Sequence, residues 1–225
     1  LVHLRLNGQH TRRHNLEVEV DPFPPGDFDV WADTYDQDVF DEGQYPFFGY
    51  QQVLETVVQR SCVQPGMRVL DVGTGTGNLA APFVALGCEV WAIDFSPRML
   101  AVARRKLKQV QFLQADLRLG WPDGIEGQLD RIVSAYVFHH FELEDKVRFS
   151  TLLLEHLAPH GRLVIADIAF ADQQSRTKVQ RLVGEEWEEE FYWLANETLA
   201  AYREVGISAC FEPVSICAGV FVVEQ

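Results

Sequence analysis

The stretch VLDVGTGTGNLA, residues 69–80, decides the fold. An apolar run, VLDV, ends in three glycines separated by single residues: Gly73, Gly75 and Gly77. A helical segment follows. Glycine lets the chain turn sharply and lets a ligand approach the main chain. The helix N-terminus beyond the loop favours a carboxylate or phosphate. A dinucleotide fingerprint would be G-x-G-x-x-G, with glycine where Asn78 stands. This loop instead reads G-x-G-x-G, with Asp71 two positions before the first glycine. Asp94 ends the next apolar run, about 20 residues on, where a carboxylate can hold two ribose hydroxyls. A tight strand–helix turn alone would also use these glycines, but the order of residues around them fits a ligand loop better.

Working outward, short apolar runs alternate with helical patterns. MRVLDV (67–72), CEVWAID (88–94), VQFLQAD (110–116), LDRIVSAYVF (129–138) and GRLVIADIAF (161–170) read as strands. GNLAAPFVALG (77–87), SPRMLAVARRKL (96–107) and ELEDKVRFSTLLLEHL (142–157) read as helices, the second with Ser96 as N-cap and Pro97 in its first turn. Pro82 is a blemish in the first of them. A helical stretch is expected over 172–205, and two strands close the chain. Strands alternating with helices mean a parallel α/β sheet. Upstream, residues 27–61 form an aromatic, acidic cover ending in a helix with Val53, Leu54, Val57 and Val58 on one face. Residues 1–26 read as a separate short hairpin or ordered arm, joined through the stiff PFPPG connector.

Composition narrows the partners. The 225 residues carry a formal net charge of −14. A surface this acidic repels phosphate backbones, so no nucleic acid is expected; a small neutral or cationic molecule fits better. No apolar run approaches the roughly 20 residues of a membrane span, and the first residues lack the apolar core of a signal peptide. Cys62, Cys88, Cys210 and Cys217 form no C-x-x-C pair, which points to a reduced, cytoplasmic setting.

On DVGTGTG (71–77), AIDFSPRML (92–100), FLQAD (112–116) and DRIVSAYVFHHF (130–141), the chain resembles class I S-adenosylmethionine-dependent methyltransferases. WADTYD (31–36), the paired histidines and ADIAFAD (166–172) make it similar to small bacterial YrrT-like methyltransferases over about residues 27–225. The resemblance implies a doubly wound, Rossmann-like sheet, mostly parallel with an antiparallel C-terminal strand and helices on both faces. It also implies S-adenosylmethionine as cofactor and a lid near 172–205. By that resemblance Gly73, Thr74, Gly75 and Gly77 would cradle the methionine end, braced by Asp71. Asp94 would take the ribose, with Phe95 and Met99 beside the adenine. Asp116 would accept from the adenine amino group and Leu117 would bond the ring through its backbone. Ala135 and Tyr136 would face the cofactor, and Trp31 and Tyr35 would close over it. Met99 as plain core, and Trp31 with Tyr35 as an aromatic staple, remain alternatives.

Methyl transfer from a sulfonium requires an acceptor held on axis and water excluded. An aromatic face at Tyr35 or Tyr136 suits a cationic sulfonium. His139 and His140 follow the fourth strand, at the end of the sheet where sites form. One is expected to face the acceptor as base or orienting group; the other caps or packs. No metal is expected, because adjacent histidines should point apart and no further ligands stand at a recognisable spacing. The glutamates around Trp187 in GEEWEEEFYWLANE (184–197) read either as an attractor for a cationic acceptor or as a solvated helix face. Two other functions remain open: a non-catalytic S-adenosylmethionine-binding sensor or partner subunit, and an NAD-dependent oxidoreductase. The loop spacing and the lack of Tyr-x-x-x-Lys weigh against the latter. A homodimer is compatible with all of them.

Overall fold

The first apolar run becomes a central strand, β1 (Arg68–Val72), buried on both faces. Parallel strands β2 (Glu89–Asp94) and β4 (Leu129–Ala135) flank it, in register from Val69 with Val90 and Arg131. The computed structural model describes residues 25–40 and 44–224. The arm expected over 1–26 lies outside them, apart from its last two residues, which open helix α1 (Pro25–Trp31). With β3 (Gln111–Gln114), β5 (Leu157–Phe170), β6 (Trp193–Leu194), β7 (Ala209–Pro213) and β8 (Ala218–Glu224), the sheet runs β3-β2-β1-β4-β5-β8-β7, with β6 beside β5. All pairs are parallel except β5 with β8 and β8 with β7. The doubly wound sheet with an antiparallel C-terminal end is therefore present.

Successive residues of a strand face opposite sides, so the sheet divides its apolar residues between two cores. Val69, Val90, Val133 and Val164 pack with Val53 and Val57 of α3 (Tyr50–Ser61). Leu70, Ile93, Ile132 and Leu163 pack on the other side with Phe149 and Leu153 of α6 (Leu143–Leu154) and Tyr202 of α8 (Ala195–Glu204). Strands buried on both faces lack an alternating pattern, which is why they read as continuous apolar runs.

Several boundaries move for physical reasons. α4 spans only Ala80–Ala85, so Pro82 falls in its first turn, where an amide hydrogen would have no helical partner. α5 (Pro97–Lys106) keeps the predicted cap: Ser96 Oγ accepts from the Met99 amide at 3.1 Å. Arg104, Arg105 and Lys106 in its last turn oppose the negative end of the helix dipole. β4 stops at Ala135 instead of residue 138, because Tyr136 is left-handed, with φ +58°.

The expected helix over 172–205 is corrected. α7 spans Gln173–Val183, a short 3-10 turn covers Gly184–Glu186, and the chain then runs without helix until α8 begins at Ala195. Five glutamates within residues 185–190 would repel at the three- and four-residue spacings of a helix. Pairing of Trp193 and Leu194 with Ala169 and Phe170 favours extended backbone instead. Among the described residues, no helix is long and apolar enough to cross a membrane.

Candidate active site

The strand order reverses between β1 and β4, and a crevice opens outside the carboxyl ends there, as expected of such sheets. The glycine loop forms its floor. The amides of Gly73 and Thr74 both donate to Ile93 O, at 2.8 and 3.0 Å. The Gly75 amide donates to Asp94 Oδ2 at 2.8 Å, and the Ser96 amide donates to Asp94 Oδ1 at 2.9 Å. The glycines have different tasks. A Cβ on Gly73 would meet Val137 at 2.2 Å, and one on Gly77 would meet Leu107 at 3.0 Å, so these two permit close packing. A Cβ on Gly75, at φ +53°, would meet nothing within 4 Å. That residue opens the loop toward a ligand.

Two carboxyls are buried under this floor. Asp71 accepts from Thr74 Oγ1 at 2.7 Å, so Thr74 locks the loop from within. Asp71 Oδ1 is buried without a well-formed hydrogen bond, with only weak support from the Ala80 amide. Burial pushes its carboxyl up to about 7, and Asp94 nearby adds to the rise. Burial also pushes Asp94 up to about 6, against the stabilising amides of Ser96 and Gly75. Buried carboxyls held above their ordinary range are common at functional sites.

Phe28, Asp94, Phe95, Asp116, Leu117 and His140 line the crevice. Phe28 stands edge-on to Phe95, with centroids 5.0 Å apart. Met99 is buried in the first turn of α5, and Phe95 is the crevice wall there. The Asp116 carboxylate is already engaged: Arg118 folds back onto it, with Nε at 2.9 Å and Nη2 at 2.6 Å from Oδ2. An adenine amino group would share Asp116 with that guanidinium.

The N-terminal cover is fastened to this wall by carboxylates. Asp29 accepts from Ser96 Oγ at 2.6 Å and from the Arg98 amide at 3.1 Å. Asp36, in α2 (Tyr35–Val39), accepts from Thr76 Oγ1 at 2.5 Å and Asn78 Nδ2 at 3.0 Å, and it pairs with Lys106 at 2.8 Å. Trp31 and Tyr35 stack edge-on at 4.7 Å, and Trp31 Nε1 donates to Asp38. Burial raises the Tyr35 phenol well above its ordinary value, with Tyr50, Tyr136 and Asp94 as charged-form neighbours. The pair packs against the core as a staple and does not line the crevice. None of these aspartates was singled out in the sequence, where they read as a generic acidic run.

The opposite wall begins at Ala135, which pairs with Ala166 of β5. Tyr136 follows, its ring buried against Phe47 and Tyr50 at 5.6 and 5.3 Å. Its left-handed backbone stores strain of about 1–3 kcal/mol, a cost found mostly at functional positions. A 3-10 turn, Phe138–His140, then carries the two histidines. They do not point apart. Their ring centroids are 4.0 Å apart, and both approach Glu190 Oε2: His139 Nε2 at 3.4 Å and His140 Nδ1 at 3.3 Å. The strand-end reading assumed extended backbone, where neighbours alternate; the 3-10 turn breaks that alternation.

The histidines are not equivalent. His139 is buried, and its Nδ1 lies 2.6 Å from Asp167 Oδ1. Asp167 also accepts from Trp193 Nε1 at 3.0 Å and from the Ile168 amide at 2.8 Å. Burial opposes the imidazolium, but Asp167 outweighs it and holds His139 above its ordinary value. His140 lines the crevice edge-on to Phe28 at 5.7 Å. Burial and the neighbouring His139 hold it below its ordinary value. Lys146, buried in α6, lies 4.7 Å over Trp193 and donates to Phe191 O. Burial lowers it to about 8. Sequence reading misses Asp167 and Lys146 as site residues, and it offers Glu190 only among the glutamates around Trp187, as attractor or solvated face, about 50 positions from the histidines. A carboxylate inside the apolar run ADIAF was the one available signal for Asp167.

Comparison with known proteins bears on the family and the fold. A methyltransferase domain model matches residues 69–161. The uncharacterized methyltransferase YrrT of Bacillus subtilis is 36% identical over 191 residues, covering 79% of this chain and 84% of its own. An uncharacterized methyltransferase of Geobacillus kaustophilus is 32% identical over 197 residues, covering 82% and 88%. Among solved structures, a DhpI-SAM-HEP complex superposes with TM-score 0.68 at 21% identity, covering 89% of this chain and 95% of that one. The magnesium protoporphyrin IX methyltransferase ChlM from Synechocystis PCC 6803 with bound SAH gives 0.64 at 20%, covering 87% and 98%. These structures share the fold. With more than a third of aligned residues identical over most of both chains, the protein belongs to the family of methyltransferases represented by YrrT.

Proposed function

We propose that the chain transfers the methyl group of S-adenosylmethionine to a small-molecule acceptor that meets the crevice at His140. One observation carries this reading: His140 belongs to both halves of the site. It lines the crevice beside Asp94 and Phe95, and it stands 3.3 Å from Glu190 in the buried polar cluster. The residues suit the cofactor. Gly75 opens onto free space, and Asp71 and Asp94 lie buried beneath it, able to answer an ammonium group and a ribose diol. Phe95 and Leu117 would flank the adenine, Asp116 its amino group, and Gly73 and Gly77 keep the loop tight. The cofactor supplies an electrophilic methyl on a sulfonium.

The chain's own residues do the rest. Trp31, Tyr35 and Tyr136 back the sulfonium side with aromatic rings and exclude water. His140 orients the acceptor, and His139, fixed by Asp167, positions His140 and Glu190. Ala135 leaves room at the strand end. A small acceptor fits because the cover packs on the crevice through Phe28 and Asp29. The charge of −14 disfavours polyanions and is compatible with a neutral or cationic molecule.

The test is S-adenosylhomocysteine release from S-adenosylmethionine across a panel of small hydroxyl, thiol and amine acceptors. His140→Ala should abolish turnover on the best acceptor while leaving S-adenosylhomocysteine affinity within a few-fold. Full turnover in that variant would remove His140 from the acceptor side. Turnover only on protein or nucleic acid would overturn the acceptor class.

A further inference from the structure

The convergence of His139, His140 and Glu190 goes beyond what orienting an acceptor needs. We infer that these three side chains form a binding site for one divalent transition-metal ion, zinc in the first instance, with a coordination position left open. The donor set is two imidazole nitrogens and one carboxylate oxygen, a combination that suits zinc with a fourth, exchangeable ligand. The spacing fits as well. Tetrahedral zinc with bonds of about 2.0–2.1 Å places neighbouring ligand atoms about 3.3–3.4 Å apart. Glu190 Oε2 lies 3.4 Å from His139 Nε2 and 3.3 Å from His140 Nδ1. All three ligand atoms lie within 4.8 Å of one another.

Two independent observations point the same way. Among the described residues, Glu190 Oε2 is buried yet makes no hydrogen bond of proper geometry, with its imidazole neighbours at 3.3 and 3.4 Å. A carboxylate committed only to ion pairing would align with an imidazole N–H. Second, His139 offers Nε2 to the cluster while its other nitrogen, Nδ1, is held at 2.6 Å by Asp167. A carboxylate behind the remote nitrogen of a ligating imidazole fixes its tautomer and raises its basicity. Asp167 is itself fixed by Trp193 Nε1 and the Ile168 amide. The set is therefore braced from behind, as metal ligands are. Lys146, the cation nearest these carboxylates, spends a hydrogen bond on Phe191 O.

The site opens toward the crevice, because His140 lines it. The fourth position would accept water or the hydroxyl or thiol of a methyl acceptor. There an acceptor would give up its proton to water before its heteroatom bonds the methyl carbon and the carbon–sulfur bond breaks. This consequence rests on the proposed methyl transfer. The metal site itself rests only on the three side chains.

Zinc affinity by equilibrium dialysis and elemental analysis tests the site. Cobalt(II) substitution reports its geometry, and S-adenosylhomocysteine affinity is measured separately. The full chain should bind one zinc, and cobalt should show visible bands of a tetrahedral site without thiolate charge-transfer absorption. Glu190→Ala or His140→Ala should weaken zinc by more than about 100-fold, and Asp167→Asn by about 10- to 100-fold, the range for a supporting carboxylate. S-adenosylhomocysteine should bind the Glu190→Ala and Asp167→Asn variants within a few-fold of wild type. No zinc bound at micromolar concentration, or binding that survives Glu190→Ala, would mean an ion-paired cluster only. Thiolate absorption would instead assign the metal to an exposed cysteine such as Cys62 or Cys210, and would equally overturn the site. Should a variant fail to fold, the stoichiometry and cobalt spectrum of the unaltered chain decide. Loss of methyl transfer with zinc still bound would refute the proposed function and not this site.

Discussion

Two parts of the proposed site, the crevice wall assigned to the cofactor and the polar cluster behind His140 assigned to the acceptor, are built in opposite ways. The cofactor wall is local. Its loop, its two buried aspartates and the cap of α5 all lie within residues 71–99, and most of its contacts are to main-chain amides. The acceptor wall is assembled from distant positions. His139, Lys146, Asp167, Glu190 and Trp193 come from a 3-10 turn, a helix, a strand and an extended segment, and their contacts are between side chains. A wall of amides can be read from glycine spacing, because backbone geometry carries it. A wall of side chains exists only once the sheet has formed. It is also more exposed to change, since each member depends on the others for its desolvation.

The largest expected effect follows from that dependence. Asp167→Ala removes the carboxylate shared by His139 Nδ1 and Trp193 Nε1 and leaves a buried imidazole with only the more distant Glu190, at 3.4 Å, as counter-charge. Breaking one partner of a buried pair costs about 3–5 kcal/mol. Urea unfolding should show a loss of that size, with S-adenosylhomocysteine affinity of the folded fraction within a few-fold. A variant as stable as wild type would mean that the acceptor wall is no more interdependent than a solvated surface. Loss of cofactor affinity in step with stability would erase the distinction between the walls.

Legibility in the sequence follows the same division. MRVLDV, CEVWAID and the Ser96–Pro97 start of α5 carry their own signals: apolar runs for doubly buried strands, and a capping hydroxyl before proline. Residues 184–194 carried the wrong one. Glutamate favours helix by intrinsic propensity, but mutual repulsion and the pairing of Trp193 and Leu194 with β5 override that preference. The same error hid Glu190, which as part of an exposed helix face would have no reason to meet a histidine. The convergence of His139 and His140 was likewise hidden, because it depends on Tyr136 turning left-handed. Asp29 and Asp36, which bind the cover to the loop, were lost among other acidic residues.

The next effect concerns pH and sits on the cofactor wall. Burial holds the Asp71 carboxyl up to about 7, against an ordinary value of 3.8. The folded state then keeps a proton that the unfolded state releases. The favourable contribution is fully present below about pH 4 and is lost as pH rises through 7, by an amount on the order of a few kcal/mol at about 1.4 kcal/mol per pH unit. Asp71→Asn, which keeps an acceptor for Thr74, should be near neutral at pH 4.5 and stabilising at pH 8. Equal effects at both values would show that Asp71 ionises normally in the fold. Asp94→Ala comes next in size. Calorimetry should show S-adenosylhomocysteine weakened by about 1.5–3 kcal/mol, the range for hydrogen bonds to a charged group. An unchanged affinity in a folded variant would remove Asp94 from the cofactor wall.

The smallest effect separates the cofactor wall from the cover laid over it. Asp36 binds Thr76, Asn78 and Lys106, yet its side chain remains 41% exposed. Burial works against its charge, but Lys106, Thr76 and Asn78 together hold it below its ordinary value. The sign is the reverse of Asp71: the contribution is present above about pH 4 and is lost as pH falls through the lowered value. A half-exposed ion pair contributes little, roughly 0.2–1 kcal/mol, and salt weakens it. Asp36→Ala should therefore barely move global unfolding at pH 7. It should instead speed amide hydrogen exchange across residues 28–40, because the cover is held to the loop by few groups and opens without unfolding the sheet. Exchange that stays at the wild-type rate would show that the aromatic contacts of Trp31 and Tyr35 hold the cover alone. A large loss of global stability would show that cover and cofactor wall are one cooperative unit, and the molecule would then have two walls only on its acceptor side.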